Sequence, residues 1–253
     1  MKGTIFDLSG RTALITGGSQ GLGRAMAHGL ARAGAEVMIS SRGEEGLRNT
    51  AAGVPDATIH YHVADMTSRE QVRSLAETSL EVMGKVDILI NNAGCNTPES
   101  IDEISDEIWD RTVELNLTSC MALTRALAPQ MKTRRWGRII HISSIMGLGS
   151  KEKRNSYSAT KAALLGLCRA SAQDLGEYNV TVNCLAPGPF LTEMPGGLLS
   201  PAEKQVFSDR TALGRWAEPE ELVGPALLLA SEAGSYITGA VLVVDGGVLC
   251  KTF

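Results

Sequence analysis

The 253-residue sequence has few of the features that mark secreted, metal-binding or membrane proteins. Its five cysteines are odd in number and scattered, without a C-x-x-C pair, so they suggest neither a disulfide framework nor a thiolate zinc site. No segment approaches the roughly 20 apolar residues of a membrane span, and the N-terminus has no apolar stretch long enough for a signal peptide. We therefore expect a cytoplasmic protein without membrane contact, whose cysteines are small buried apolar residues.

The charges are balanced, with Lys+Arg 24 against Asp+Glu 28 and a formal net charge of −4. No long run carries one sign, so the broad basic face that nucleic acid requires is not evident. The four histidines lack metal-ligand spacing. His60 and His62 alternate along a predicted strand and would form a weak metal pair, but we favour the simpler interpretation that they share one strand face. No metal site is predicted.

What the sequence does contain is a regular alternation of short β-branched runs and longer helical patterns. Runs such as residues 13–15 and 88–90 are continuously apolar, which is typical of parallel strands covered by helices on both faces. The alternation predicts a doubly wound α/β fold with a seven-stranded parallel sheet, in one domain spanning residues 1–253. The predicted strands are residues 12–16, 36–40, 58–63, 87–91, 138–143, 180–185 and 240–245.

Two predicted helices have informative sequences. Ser68 and Gln71 have the spacing of a capping box at the start of a helix that reaches about Met83 and ends at Gly84. The segment 155–175 carries Ala, Leu and Cys on nearly all sides, so we expect it to be buried on two sides. Because a sheet covers one side, we favour contact with a second subunit in a homo-oligomer, a dimer or homotetramer, over burial by neighbouring helices.

The segment Thr16-Gly17-Gly18-Ser19-Gln20-Gly21-Leu22-Gly23 follows the first predicted strand and opens the first helix. Glycine suits this turn because the chain must bend sharply and its backbone must approach a pyrophosphate closely. The helix N-terminus offers free N–H groups to that anion. A glycine-rich turn alone could reflect geometry, but strand, loop and helix occur in the required order, so the segment predicts a dinucleotide site.

The end of the second predicted strand carries Ser41 and Arg42. An acidic side chain at this place accepts hydrogen bonds from free ribose hydroxyls, whereas arginine attracts an additional 2′-phosphate. The two residues therefore indicate NADP rather than NAD. The alternative is that Arg42 is an ordinary solvated residue at a strand end.

Polar residues gather at the carboxyl edge of the predicted sheet, where ligands bind in open α/β folds. Asn91-Asn92-Ala93-Gly94 ends the fourth strand, and Ser143 and Ser144 end the fifth. Tyr157 and Lys161 follow at i and i+4, which places a phenol and an ammonium on one helix face. At about 4 Å and an effective dielectric constant of about 20, the ammonium contributes about 4 kcal/mol, enough to make the phenol a working base near neutral pH. Alone, the pair would also fit a helix surface.

Together these features resemble the short-chain dehydrogenase/reductase family in its compact branch, over essentially the whole chain. The resemblance rests on the T-G-x-x-x-G-x-G spacing, the N-N-A-G motif, Ser144 before Tyr-x-x-x-Lys, and Pro187-Gly188 after the sixth strand. It implies a Rossmann fold and reversible hydride transfer between a nicotinamide and a carbonyl or secondary alcohol of a small substrate. Residues 213–222 are similar to segments of both oxoacyl-carrier reductases and gluconate-type dehydrogenases and do not separate the two.

The resemblance also implies the roles of individual residues. Tyr157 is the general acid/base, and Ser144 positions the same substrate oxygen. Lys161 holds the nicotinamide ribose and favours the phenolate, while Asn116 anchors a water in a proton relay. The implied cofactor contacts are Gly17, Ser19, Gln20, Gly21, Leu22, Gly23, Ser41, Arg42, Asp65, Met66, Asn92, Ala93, Gly94, Tyr157, Lys161, Pro187, Gly188, Phe190 and Thr192. Ser41, in place of an acidic residue, departs from the NAD-preferring form.

Substrate identity is expected to depend on residues 95–98, on 145–156 and on a loop at 194–215 that moves over the substrate. The charged run at 151–154 fits either a polar substrate, such as a sugar acid or a phosphorylated carrier, or a solvated loop. Two other functions are possible. An epimerase or dehydratase shares the Tyr and Lys but has another glycine spacing and a longer substrate domain. A redox sensor or scaffold would bind the nucleotide without turnover, which the four intact catalytic residues make less attractive.

Overall fold

Parallel strands form one sheet in the computed structural model, which describes residues 3–192 and 200–251. The strands in this part of the chain are β1 (Thr12–Thr16), β2 (Glu36–Ser41), β3 (Ile59–Val63), β4 (Ile88–Asn91), β5 (Gly137–Ile142), β6 (Val180–Pro187) and β7 (Val241–Val244). Their order is β3-β2-β1-β4-β5-β6-β7, and every neighbouring pair is parallel. The predicted seven-stranded parallel fold is confirmed, and its strand order reverses between β1 and β4.

Helices cover both faces of the sheet. They are α1 (Gly21–Arg32), α2 (Glu44–Ala52), α3 (Arg69–Met83), α4 (Asp106–Val113), α5 (Ser119–Arg134), α6 (Asn155–Leu175), α7 (Pro201–Arg210) and α8 (Val223–Ala230). A π-helix, Glu114–Thr118, joins α4 to α5, and a 3₁₀ turn, Ile145–Gly147, follows β5. Helices α1, α2 and α8 pack on one face, and α3, α5 and α6 pack on the other.

The continuously apolar strands follow from this two-sided cover. Ala13 and Ile15 of β1 point into one core, whereas Leu14 points into the other, and all three are fully buried. Burying an Ile or Leu side chain stabilises the fold by about 1.5–3 kcal/mol, so both faces of the central strands contribute.

The observed boundaries differ from the predicted ones by no more than two residues at any strand end. Strand β2 extends to Ser41 because Ser41 pairs with Val63 of β3. Strand β6 extends to Pro187, which pairs with Val244 of β7. Helix α6 has the predicted bounds.

The capping box predicted at α3 is half formed. Ser68 accepts a hydrogen bond from the Gln71 backbone N–H at 3.4 Å, and Gly84 ends the helix in the left-handed conformation at φ 70°. The Gln71 side chain does not return to Ser68; its Oε1 accepts from the Asp65 N–H at 2.8 Å. The prediction of a reciprocal box was therefore wrong, since the loop before the helix presents a competing donor.

Helix α6 buries one face against the sheet and exposes the opposite one. Its exposed residues include four small ones, Ala159, Ala162, Gly166 and Ala170, together with the larger Arg169, Gln173 and Asp174. The expectation that the helix is buried on two sides is therefore not met by the described part of the chain itself.

The expectations for the cysteines, the histidines and the membrane can also be compared with the structure. Cys120, Cys168 and Cys184 are buried as expected, but Cys95 is half-buried and Cys250 is exposed, which corrects the prediction for these two. His60 Nε2 lies 2.8 Å from Glu36 Oε1, and no cluster of potential metal ligands occurs among the described residues. Within residues 3–192 and 200–251, no helix combines the length and apolar character needed to cross a bilayer.

Candidate active site

The loop between β1 and α1 has the bare backbone that a pyrophosphate requires. Gly17 and Gly21 have φ of 68° and 51°, and a Cβ on Gly23 would lie 2.1 Å from the Gly17 carbonyl oxygen. The side chain of Gln20 occupies the N-cap position of α1 without capping the helix, so its first N–H groups face outward from the turn. Leu22 packs against the core and fixes the start of the helix. These residues fit a dinucleotide, as the sequence predicts.

The N-N-A-G segment after β4 is bound directly to this loop. Asn92 Nδ2 donates to the carbonyls of Thr16 at 2.9 Å and Gly17 at 3.1 Å. The backbone N–H groups of Asn92 and Ala93 both donate to the Thr16 hydroxyl at 3.0 Å. Thr16 was not among the predicted contacts, although its place at the end of β1 was a usable signal. The two segments therefore form one rigid edge of the cleft.

A second tether reaches the glycine-rich loop from α2. The buried Thr50 hydroxyl donates to the Ser19 carbonyl at 3.2 Å, and a Cβ on Gly46 would lie 3.0 Å from the Ser19 Cβ. Ser41 donates its hydroxyl to the Gly43 carbonyl at 3.3 Å, at the turn between β2 and α2. Sequence analysis did not identify Thr50, because no local pattern indicates a contact 31 positions away.

The end of the cleft where the adenosine is expected carries a positive residue, Arg42, and a negative one, Asp65. The side chain of Arg42 is exposed. The Thr67 N–H is the main cause that lowers the pKa of Asp65; the Thr67 hydroxyl and the charges of Arg42 and Arg111 act in the same direction, against burial. Met66 beside it is buried. Arg42 and Asp65 follow neighbouring strands of the sheet, since Ser41 of β2 pairs with Val63 of β3.

The loop after β6 lies at the same edge. A Cβ on Gly188 would lie 2.7 Å from the Asp245 Cα, so glycine is required where this loop crosses the end of β7. Phe190 is buried and bridges to Ala217, while Thr192 donates its N–H to the Phe190 carbonyl. Pro187 ends β6 directly before this loop, and the contact of these four residues with the nicotinamide end of the cofactor stays a prediction.

Helix α6 is anchored to β5 at the turn that carries Lys161. The buried Ser143 hydroxyl donates to the Lys161 carbonyl at 2.8 Å. A Cβ on Gly147 would lie 2.8 Å from the same carbonyl, so the turn after β5 packs tightly on the helix. Lys161 Nζ, itself buried, donates to the Ile142 carbonyl at 2.6 Å. Ser144 caps that turn by accepting from the Met146 N–H at 3.1 Å.

Tyr157 and Lys161 lie on one face of α6, as their spacing predicts. The Lys161 Nζ is 5.6 Å from the centre of the Tyr157 ring. Thr160 donates its hydroxyl to the Tyr157 carbonyl at 2.9 Å and accepts from Asn116 Nδ2 at 3.2 Å. The Asn116 amide is thereby joined to the turn that carries the tyrosine.

Asn116 is fully buried in the π-helix between α4 and α5. Its side-chain amide pairs with the Cys95 backbone, accepting from the N–H and donating to the carbonyl, both at 2.9 Å. Short π-helices are often found at functional sites, where the wider turn reorients a side chain. The asparagine is therefore fixed between the loop after β4 and α6, and the water that it is expected to hold stays a prediction.

A buried histidine, His141, lies in β5 close to Lys161. His141 Nδ1 is 3.1 Å from Asn91 Nδ2, and burial, assisted by the charge of Lys161, lowers the pKa of His141 to about 4. The imidazole is therefore neutral at physiological pH. Its Nε2 and the Asn91 Oδ1 have no hydrogen-bond partner within the described chain.

The predicted substrate segments surround the same edge. The loop after β4 is joined to α6 by Asn155 Nδ2, which donates to the Glu99 carbonyl at 3.0 Å. Of the predicted mobile loop, residues 194–199 lie outside the described residues, and α7 occupies part of the remainder. The movement of that loop stays a prediction.

The fold is a doubly wound parallel sheet with a bare glycine turn after β1, and a Ser, a Tyr and a Lys lie at the same edge of that sheet. This combination defines a nicotinamide-dependent oxidoreductase. A family model described as enoyl-(acyl carrier protein) reductase matches residues 17–249. The chain belongs to the short-chain dehydrogenase/reductase family, whose members here act on CH–OH or carbonyl groups, which confirms the resemblance.

Relatives with different substrates are similar to the chain. Gluconate 5-dehydrogenase of Gluconobacter oxydans is 38% identical over 250 residues, covering 96% of each chain. The 3-oxoacyl-[acyl-carrier-protein] reductase of Thermotoga maritima is 34% identical over 245 residues, covering 96% of this chain and 99% of the relative. A gluconate 5-dehydrogenase structure from Burkholderia cenocepacia, in complex with NADP and tartrate, is 34% identical with a TM-score of 0.92, covering 98% of each chain.

Proposed function

We propose that the protein transfers a hydride between NADP and a carbonyl or secondary alcohol of a small substrate, with Tyr157 as the general acid/base. The observation that carries this proposal is the placement of the Lys161 ammonium 5.6 Å from the Tyr157 ring centre, beside Gly94 of the dinucleotide edge. A Cβ on Gly94 would lie 3.4 Å from the Lys161 Nζ, so the charged pair and the nucleotide cleft adjoin.

The nicotinamide supplies or accepts the hydride when it is bound. In reduction the Tyr157 hydroxyl protonates the developing alkoxide, and in oxidation the phenolate removes the hydroxyl proton of the substrate. The Ser144 hydroxyl donates to the same substrate oxygen. Lys161 stabilises the phenolate by its charge, and because the Ile142 carbonyl uses one of its three N–H donors, two are available for the ribose hydroxyls. Asn116 holds the water that returns the proton to solvent.

The preference for NADP rests on the adenosine end. Arg42 is exposed at the end of β2 and close to Asp65, where it can reach a 2′-phosphate, while the preceding Ser41 presents no carboxylate to repel that phosphate. Asp65 and Met66 would contact the adenine of a bound cofactor, and the Gly188 loop would lie at its nicotinamide end. The NADP complex of the Burkholderia cenocepacia relative supports the same choice.

The decisive experiment replaces the phenol oxygen alone. Tyr157→Phe should reduce turnover with NADPH by at least about 100-fold, while the Kd for NADP stays within about threefold, because general acid–base catalysis is lost and the ring remains. The exposed Tyr236 provides a matched control, since Tyr236→Phe should leave both quantities unchanged. Near-normal turnover in Tyr157→Phe would remove the tyrosine from the mechanism. Nucleotide binding without turnover in the wild type would instead favour a sensor or scaffold.

We further infer a homo-oligomer in the cytoplasm, formed by a single-domain chain. The exposed small-residue face of α6, at Ala159, Ala162, Gly166 and Ala170, supports association, because small side chains allow close helix packing. A dimer or a tetramer would cover this face. Light scattering of the purified protein measures the assembly, and a monomer at micromolar concentration would contradict the inference.

A further inference from the structure

The loops that follow β4, β5 and β6 meet around the first turn of α6. Ser150 and Ser158 hydroxyls lie 2.7 Å apart, which ties the loop after β5 to α6 next to Tyr157. Asn155, at the start of the same helix, donates to the Glu99 carbonyl in the loop after β4. These two contacts hold the loops after β4 and β5 next to the turn of α6 that carries Tyr157.

Lys151 is the cation that stands between two of these loops. It follows Ser150 directly, and its Nζ lies 4.9 Å above the Phe207 ring of α7. Phe207 is in turn held edge-on against Trp216, with ring centres 5.4 Å apart. The lysine thus extends from the loop after β5 to the segment that follows β6, and its side chain is half-buried.

The charge of Lys151 is not neutralised by the described part of the chain. None of the carboxylates whose side chains the structure describes lies within ion-pair distance of its Nζ. A cation over an aromatic ring at a partly exposed site is held more weakly than one that donates to a carboxylate. An anionic ligand group would therefore compete successfully for this ammonium.

We propose that Lys151 binds a carboxylate of the substrate, so that the protein acts on small hydroxy or oxo acids in preference to neutral alcohols and ketones. This inference rests on the proposed function, since it names the substrate class of the same site. It distinguishes the chain from an enzyme for acyl thioesters, whose reacting end carries no charge.

The test uses substrate pairs that differ in charge alone. Gluconate and gluconamide are compared for oxidation with NADP, and acetoacetate and acetoacetamide for reduction with NADPH. Lys151→Gln should raise KM for the two carboxylates by about 10- to 100-fold, the size expected when one charge-assisted hydrogen bond is lost. KM for the two neutral compounds and the Kd for NADP should stay within about twofold, and Lys151→Arg should retain the carboxylate preference.

Lys153 provides the matched control, because it is an exposed lysine in the same loop, and Lys153→Gln should change none of these values. Equal effects of Lys151→Gln on charged and neutral substrates would overturn the inference. So would a wild-type preference for the neutral member of each pair, and in that case Tyr157-dependent turnover would leave the proposed function intact. Absence of turnover with all four compounds would also overturn the inference, and turnover of other ketones or alcohols that is lost in Tyr157→Phe would leave the proposed function intact.

Discussion

Lys161→Met tests whether the buried ammonium makes the phenol catalytic. Methionine has nearly the length of lysine and no branch, so it fills the same space while removing the charge. The substitution also removes the hydrogen bond from Nζ to the Ile142 carbonyl at 2.6 Å. The backbone of α6 should stay in place, because the Ser143 hydroxyl holds the Lys161 carbonyl independently of the side chain.

The expected loss follows from the separation of the two groups. With 5.6 Å between Nζ and the Tyr157 ring centre, and an effective dielectric constant of about 20, the ammonium interacts with a negative charge developing at the tyrosine by about 3 kcal/mol. Its removal should therefore lower kcat for oxidation by about two orders of magnitude. The low exposure of Lys161, 4%, means that solvent screens the interaction little.

The assay is kcat for alcohol oxidation at saturating NADP, measured from pH 6 to pH 10, together with the Kd for NADP and the melting temperature. Loss of the charge should lower kcat throughout this range. Lys132→Met is a matched control, since Lys132 lies 4.1 Å over the ring of Tyr178, away from the predicted site, and its loss should not change kcat. A Lys161→Met enzyme that folds normally and keeps kcat within threefold of wild type would refute the electrostatic role.

Two further predictions concern the cofactor and the fold. Arg42→Asp should lower kcat/KM for NADPH by at least about tenfold and raise the preference for NADH, because a charge-assisted contact to the 2′-phosphate becomes a repulsion. The control is Arg48→Gln, which alters an exposed arginine paired with Glu44 and should leave the ratio of kcat/KM for NADPH and NADH unchanged. The pKa of His141 is about 4 in the folded chain, against 6.5 for an ordinary histidine. As the pH falls from 6.5 to 4, the unfolded chain therefore binds a proton before the folded chain does. The free energy of unfolding decreases by up to about 3 kcal/mol over that range. His141→Gln should flatten this part of the stability profile in urea unfolding at pH 4.5 and 7.5, and an unchanged slope would show that other groups cause it.

The fold could be predicted because its signals are local. A continuously apolar strand such as residues 13–15 indicates that helices cover both faces of the sheet, and Gly84 after α3 indicates a left-handed turn at the end of that helix. The pair Tyr157 and Lys161 was equally accessible, because a spacing of four on a helix fixes its geometry whatever the rest of the chain does.

The contacts that orient the site were not predicted, because they join distant segments. The Gln71 side chain was expected to complete a cap, but the Asp65 N–H is a competing donor that becomes visible when the chain is folded. The π-helix at Asn116 has no sequence signature of its own; its widened turn arises where the Asn116 amide pairs with the Cys95 backbone. Thr50 and Ser143 are likewise ordinary residues until their hydroxyls meet Ser19 and Lys161.

Gly94 shows why the motif after β4 ends in glycine. A Cβ there would lie 3.2 Å from Asn116 Oδ1, which is a tight contact, and 3.4 Å from Lys161 Nζ, which is an ordinary van der Waals contact. Three segments converge at this point: the loop after β4, the π-helix and α6. A side chain at this position would therefore crowd Asn116, whose amide holds the loop by pairing with the Cys95 backbone.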